Sequence, residues 1–146
     1  MNSPDDKWQY LIELDEELLH GGVILSEWTT LLVKDAQIAF CAGAYLSSIL
    51  SSQSAIESHL KYDVFDAGES RKWGFYQLIE NSSFGNEFKN ELHELRKLRN
   101  TWVHVNDPQN DSDLLNRPEY HEYKLKQFAS RTMRTLLTVV YDNPWI

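Results

Sequence analysis

Residues 28–60 read WTTLLVKDAQIAFCAGAYLSSILSSQSAIESHL, and this stretch decides the fold class. Apolar side chains recur in it at the spacing of a helix, and neither a proline nor a cluster of turn residues interrupts them. At about 1.5 Å per residue, the pattern predicts a single helix on the order of 50 Å long, with any kink near Gly43 or the Ser51 and Ser52 pair. A helix of this length is typical of the spine of a bundle or of a dimer interface.

Helices are also predicted on both sides of this stretch. Ser3 and Ser26 are expected to cap helix starts, and the first helix is expected to stop at residues 20–22. Downstream of a loop at residues 63–69, Ser70 is a candidate cap for a short helix, which is expected to fail at residues 81–83. Two longer helices are expected from about Phe84 to Val103 and from Pro118 to about Tyr141. Strand-like alternation is absent from the sequence, so we expect one all-α domain over residues 1–146, a bundle of four or five helices.

The number of cysteines and the distribution of apolar residues indicate the cellular compartment of the protein. Cys41 is the single cysteine, which excludes an intrachain disulfide and favours a reducing compartment; we expect it to be a small buried core residue. Residues 1–6 lack the positive region and apolar run of a signal peptide. The most apolar stretch, residues 36–46, is too short to cross a bilayer. We therefore expect a cytoplasmic protein with no membrane partner.

The negative charge lies in the first half of the chain. Residues 1–70 carry twelve acidic and three basic side chains, a net charge of −9, whereas residues 71–146 carry ten and eleven, a net charge of +1. This balance counts mildly against broad nonspecific binding of nucleic acid. Three interpretations of this acidic half are open: it keeps the protein soluble, it faces a basic partner or it repels phosphate. Solubility is the simplest of the three.

The helix predicted from Phe84 carries an apolar stripe and, opposite it, a polar row. At about 100° per residue, the stripe is about 120° wide, as expected for a core-facing surface. Its members are Phe84, Phe88, Leu92, Leu95, Leu98 and Trp102. His93, Asn100 and His104 fall at about 160–200° from Phe84 and form the polar row. Arg96 and Arg99 lie on the flank, from which a long guanidinium side chain can reach toward the row.

The segment Leu98-Arg99-Asn100-Thr101-Trp102-Val103-His104 resembles the signature of the HEPN (higher eukaryotes and prokaryotes nucleotide-binding) superfamily. In that signature an arginine, often followed by a polar residue, precedes a histidine near the end of a helix. The resemblance implies an all-helical bundle with a long helical hairpin. It also implies a metal-independent endoribonuclease that uses no cofactor and works as a homodimer, in which two motifs meet across the interface.

The resemblance assigns roles to particular residues. Arg99 and His104 carry over as catalytic residues, and Asn100 carries over as the polar residue that positions them. A toxin or phage-defence effector with RNA as its substrate is implied, with an antitoxin or another regulatory protein as a partner. Some family members carry a tyrosine two residues after the histidine, which a partner antitoxin modifies; here that position is Asn106, so this form of regulation is not expected.

Histidine and arginine suit metal-free cleavage of RNA. An imidazole titrates near neutral pH and serves as an acid or a base, while a guanidinium stays charged and grips phosphate through two hydrogen bonds. One histidine cannot easily be both acid and base in one step, which gives a physical motive for pairing two copies of His104. His93 and Arg96 are tentative substrate-binding residues on the same helix.

Structural interpretations stay open for each of these residues. His104 and Arg99 could instead stabilise the negative end of their helix, and His93 could be a solvated surface histidine. Basic residues of the last helix could track an RNA backbone or simply form a charged surface; they are Lys124, Lys126, Arg131 and Arg134. Its ring-bearing residues could stack on bases or could pack in the core or at an interface; they are Tyr120, His121 and Tyr123. Glu57 could pair with Arg99.

The main alternative function is a catalytically silent helical module that binds a nucleotide, an RNA or a protein partner, with the acidic first half as its contact surface. A helical accessory subunit of a nucleotidyltransferase is a further alternative. The sequence contains no glycine-rich phosphate loop, no zinc-binding His-Glu-x-x-His segment and no Gly-x-Ser-x-Gly turn. Enzymes built on those motifs are therefore not expected.

Overall fold

The chain forms an all-α bundle. The structure, a computed structural model, describes residues 1–65, 68–103 and 112–142, and these ranges contain helices and no strand. The five longer helices are α1 (Pro4–Leu18), α2 (Glu27–Cys41), α3 (Tyr45–Ser58), α5 (Asn86–Val103) and α7 (Pro118–Val140). Two shorter ones are α4 (Phe75–Asn81) and α6 (Ser112–Asn116). The predicted fold class is confirmed. None of the helices in the described ranges is long and apolar enough to cross a membrane.

Serine caps fix the starts of the first two helices, as predicted. The Ser3 hydroxyl accepts a hydrogen bond from the Asp6 backbone N–H at 3.1 Å, and the Ser26 hydroxyl accepts one from the Thr29 N–H at 3.2 Å. Each bond satisfies a backbone donor that has no partner inside the helix. Ser70 does not cap α4, contrary to expectation: it begins a 3₁₀ turn (Ser70–Lys72), and its hydroxyl donates to the Lys61 carbonyl at 2.9 Å. Gly74 precedes α4 instead.

The single long helix predicted over residues 28–60 is wrong, because the chain turns at Gly43 and forms an α2–α3 hairpin. Gly43 has a φ of +84°, in the left-handed region. Its N–H donates to the Phe40 carbonyl at 3.1 Å, and the Ala44 N–H donates to the Ala39 carbonyl at 2.9 Å. These two bonds form a Schellman motif, which ends a helix. The Ser48 hydroxyl then ties the hairpin together by donating to the Ala36 carbonyl at 2.8 Å.

Helix α3 lies at the centre of the core. It packs against α2, α7 and α5. Ile49 and Ile56 of α3 are fully buried, together with Phe40 of α2, Leu92 of α5 and Leu136 of α7. The predicted apolar stripe is confirmed for five of its six members: Leu92 and Leu95 are buried, and Phe84, Phe88 and Leu98 pack against the core at part burial. The sixth, Trp102, lines a groove beside α7 instead. Cys41 is buried as expected, and burial raises the pKa of its thiol.

A π-helical turn, His59–Val64, extends α3 into the region that was predicted to be a loop. His59 Nδ1 lies 3.0 Å from Asp63 Oδ2, and the His59 side chain is only 7% exposed. The same carboxylate oxygen accepts a hydrogen bond from the Thr29 hydroxyl at 3.3 Å. This cluster fastens the start of α2 to the end of α3.

Two tyrosines join α1 to the last helix. The Tyr10 hydroxyl donates to the Ser130 carbonyl at 2.9 Å, and the Tyr141 hydroxyl donates to Asp15 Oδ1 at 2.7 Å. Burial raises the pKa of Tyr141 strongly, and its hydrogen bond to the Asp15 carboxylate adds to the shift. Helix α1 is therefore held on α7 by part-buried hydrogen bonds as well as by apolar packing.

Candidate functional site

The residues with the resemblance to the HEPN signature lie at the C-terminal end of α5. Arg99 is half-buried and Asn100 is exposed. Within the described ranges, neither side chain makes a hydrogen bond or an ion pair. His104, the third predicted catalytic residue, lies outside the described residues, as does Asn106. The part of the motif that the structure describes therefore offers an arginine and an amide that are free to bind a ligand.

His93 does not belong to an open polar row, because α4 covers that face of α5. Its Nε2 lies 2.7 Å from Glu80 Oε1, and its side chain is only 13% exposed. Its ring lies 5.1 Å from that of Tyr76 on the same short helix. The helical wheel placed His93 opposite the apolar stripe, but a second element packs there. Both ring nitrogens of His93 are therefore already bonded within the protein, Nε2 by Glu80 and Nδ1 by Arg96.

Arg96 leans toward His93 rather than toward the end of α5. Its Nε donates to His93 Nδ1 at 3.2 Å, and its guanidinium carbon lies 5.3 Å from the centre of the Tyr76 ring. Since His93 Nδ1 accepts this bond, the ring proton sits on Nε2 and faces Glu80. The cluster of Tyr76, Glu80, His93 and Arg96 therefore braces α4 on α5, and Arg99 is separate from it.

A groove separates the C-terminal half of α5 from the N-terminal half of α7. Its volume is about 750 Å³. Leu98, Trp102 and Phe128 contribute apolar and aromatic surface, while His121, Lys124 and Arg131 contribute polar groups. A volume of this size is within the range of small-molecule sites, which is about 300–1,000 Å³. Sequence reasoning named most of these side chains but did not bring them together.

The basic residues of α7 do not form one continuous track. Arg131 makes a two-pronged ion pair with Glu91, with its Nη2 at 2.8 and 2.9 Å from the two carboxylate oxygens. Arg134 pairs in the same way with Glu17. Lys126 donates to the Asn2 side chain at 3.0 Å, whereas Lys124 lies 5.2 Å from the Tyr120 ring. Three of the four cations therefore have protein partners, and Lys124 is the most available.

The tyrosines at the start of α7 are exposed rather than packed in the core. Tyr120 is 41% exposed and Tyr123 is 59% exposed. The Tyr120 ring is flanked by the Arg117 guanidinium at 4.4 Å and by Lys124. The core alternative is therefore wrong for these two rings. This start of α7 is an aromatic surface on which the basic side chains of Arg117 and Lys124 alternate with the exposed carboxylates of Glu119 and Glu122.

Glu57 and Arg99 do not form the ion pair that was considered from the sequence. Both residues are described, and no salt bridge joins them; Glu57 instead lies near Lys61 and Tyr62 at the end of α3.

No protein-family model, no curated protein and no solved structure matches this chain. Its function must therefore be inferred from its own residues.

Proposed function

We propose that this protein is a metal-independent endoribonuclease of the HEPN type that acts as a homodimer. Arg99 and His104 are its catalytic residues, and Asn100 positions them. The observation that supports this most directly is the state of Arg99, which is half-buried at the end of α5 without a partner in the described ranges. Other arginines of the bundle, such as Arg131 and Arg134, are held by carboxylates. An unpaired guanidinium next to an exposed amide is suited to binding phosphate.

The proposed reaction uses the ribose 2′-hydroxyl as the nucleophile. One His104 takes the proton from this hydroxyl, and the 2′-oxygen forms a bond to phosphorus. The bond from phosphorus to the 5′-oxygen breaks, and the second His104, from the partner protomer, gives a proton to the departing oxygen. Arg99 stabilises the extra negative charge on the non-bridging oxygens. The products are a 2′,3′-cyclic phosphate and a 5′-hydroxyl.

The biological setting is proposed from the resemblance alone. We infer a cytoplasmic toxin or phage-defence effector that cuts single-stranded or structured RNA. An antitoxin or another regulatory protein would then be its partner. The acidic first half of the chain is available for a basic partner of this kind, because its net charge is −9.

The test is cleavage of total RNA in buffer that contains EDTA. Wild type is expected to produce cyclic-phosphate and 5′-hydroxyl ends, while Arg99→Ala and His104→Ala are each expected to lose about 10²-fold or more in rate. Arg71→Ala and His20→Ala remove the same side-chain types from exposed sites outside α5 and are the matched controls. Circular dichroism verifies that all four variants are folded. Full cleavage by His104→Ala in metal-free buffer would overturn the proposal.

A second candidate is a non-catalytic module that binds a protein partner. It is favoured by an exposed apolar stripe on α2, where Trp28 is 66%, Leu31 is 52% and Ile38 is 46% exposed. Large apolar side chains in a row on a surface are typical of interaction sites. The module is supported if wild type cuts no RNA and Leu31→Glu abolishes a tight complex with a purified partner. Cleavage by wild type that depends on Arg99 and His104 rules it out as the main function.

A further inference from the structure

We propose that the α5–α7 groove is a subsite for one base of the RNA strand, next to the phosphate held by Arg99. This inference rests on the proposed function, because it takes RNA as the ligand. The groove lies on the side of α5 that carries Leu98 and Trp102. Trp102 follows Arg99 by three residues, which is about 4.5 Å along the helix axis and about 60° around it. A base in the groove and a phosphate at Arg99 can therefore belong to neighbouring parts of one strand.

The walls of the groove suit a flat aromatic ligand. Trp102 is half-buried, so part of its indole surface faces the groove, and Phe128 lies on the opposite helix. Every nucleobase has a π face, so stacking on such rings tolerates any sequence. The volume of about 750 Å³ leaves room for a purine or a pyrimidine.

The polar rim of the groove suits the phosphates of the same strand. Lys124 is exposed, and its ammonium group has no hydrogen bond to any described residue. Arg131 uses Nε and Nη2 for Glu91, which holds the guanidinium in place and leaves Nη1 unbonded in the described part of the chain. Lys124 therefore gives the rim one positive charge with no carboxylate partner in the described residues, and Arg131, whose charge Glu91 balances, adds a hydrogen-bond donor at Nη1. An anionic strand with planar bases matches both the walls and the rim.

The test measures binding of a fluorescein-labelled 2′-O-methyl oligoribonucleotide, which cannot be cut because its 2′-oxygen carries no proton. Trp102→Leu is expected to weaken binding by about 5- to 150-fold, the range measured for loss of one stacking ring, while Trp102→Phe keeps most of the affinity. Lys124→Ala is expected to lower the slope of log Kd against log salt by about 0.7, because one phosphate contact to a single strand is lost. Lys34→Ala removes an exposed lysine from α2 and should change neither quantity.

Three results would overturn the subsite. The first result is that both Trp102→Leu and Lys124→Ala keep the affinity and the salt slope of the wild type. Lys124→Ala alters an exposed side chain and should fold normally. The second is equal weakening by Trp102→Leu and Trp102→Phe. The third is binding of adenosine monophosphate that responds to the same substitutions while the strand does not bind, since the site would then serve a free nucleotide.

The subsite and the proposed function can fail independently, because binding of the strand tests the first and cleavage of RNA tests the second. If wild type binds the strand through Trp102 but cuts no RNA, the nuclease proposal fails and the groove remains a base-binding site. If wild type cuts RNA and the groove variants bind and cut normally, the groove proposal fails and the nuclease remains.

Discussion

Replacing Gly43 by alanine tests the turn that divides α2 from α3. A methyl group there meets no steric obstacle, because the nearest atom, Lys7 Nζ, lies 4.0 Å from the added Cβ. The cost is therefore one of backbone conformation: a left-handed residue with a Cβ loses about 1–2 kcal/mol. Alanine also reduces the freedom of the unfolded chain, which offsets about 0.4–1 kcal/mol. We expect a net loss of about 1 kcal/mol in the free energy of unfolding.

The assay is urea denaturation followed by circular dichroism, with Gly22→Ala as the control. Gly22 has no atom within 4 Å of its added Cβ and no left-handed φ, so its substitution carries only the effect on the unfolded chain. The difference between the two variants should then be about 1–2 kcal/mol, or about 3–6 °C in Tm. Gly43→Asn should lose less, because asparagine tolerates this conformation. If Gly43→Ala matches Gly22→Ala, the Schellman turn does not determine where the helix breaks.

Two further substitutions test the packing of the bundle. Leu92→Ala, in the fully buried part of α5, is expected to cost about 2–5 kcal/mol of unfolding free energy, whereas Leu115→Ala, at a side chain that is 88% exposed, should cost less than about 0.5 kcal/mol. Equal losses in urea denaturation would contradict the core assignment. Tyr141 has a pKa raised above its ordinary value of 10.0, so its hydroxyl loses the proton at a lower pH in the unfolded chain than in the folded one. The free energy of unfolding therefore falls as the pH rises past about 10. Tyr141→Phe should weaken this alkaline loss, and an unchanged pH profile of the urea midpoint would contradict the raised pKa that burial of Tyr141 and its hydrogen bond to Asp15 produce.

Local signals in the sequence predicted the ends of most helices. Ser3 and Ser26 cap where they were expected to, and α5 and α7 end close to their predicted limits, because caps and prolines act through the nearest backbone groups. The break at Gly43 was missed for a physical reason. Both α2 and α3 bury one face, so the apolar spacing continues across the turn, and only the left-handed φ of one residue separates a bent helix from a hairpin.

The surroundings of the candidate site could be predicted only in part. A helical wheel describes one helix, so it identified the apolar stripe of α5 but not the contact of His93 with α4. The groove between α5 and α7 depends on how two helices distant in sequence pack together. Lys124 and Trp102 are ordinary residues in the sequence, and only their placement on facing helices brings them to one cavity.

The central position of α3 has a consequence for synthesis of the protein in the cell. Its buried side chains are covered on one side by α2 and on another by α7, the last helix among the described residues. The α2–α3 hairpin can form as soon as it leaves the ribosome, but the apolar surface that α7 covers stays open until residue 140 has emerged. Until α7 has emerged, the nascent chain therefore presents an exposed apolar surface of the kind that chaperones bind.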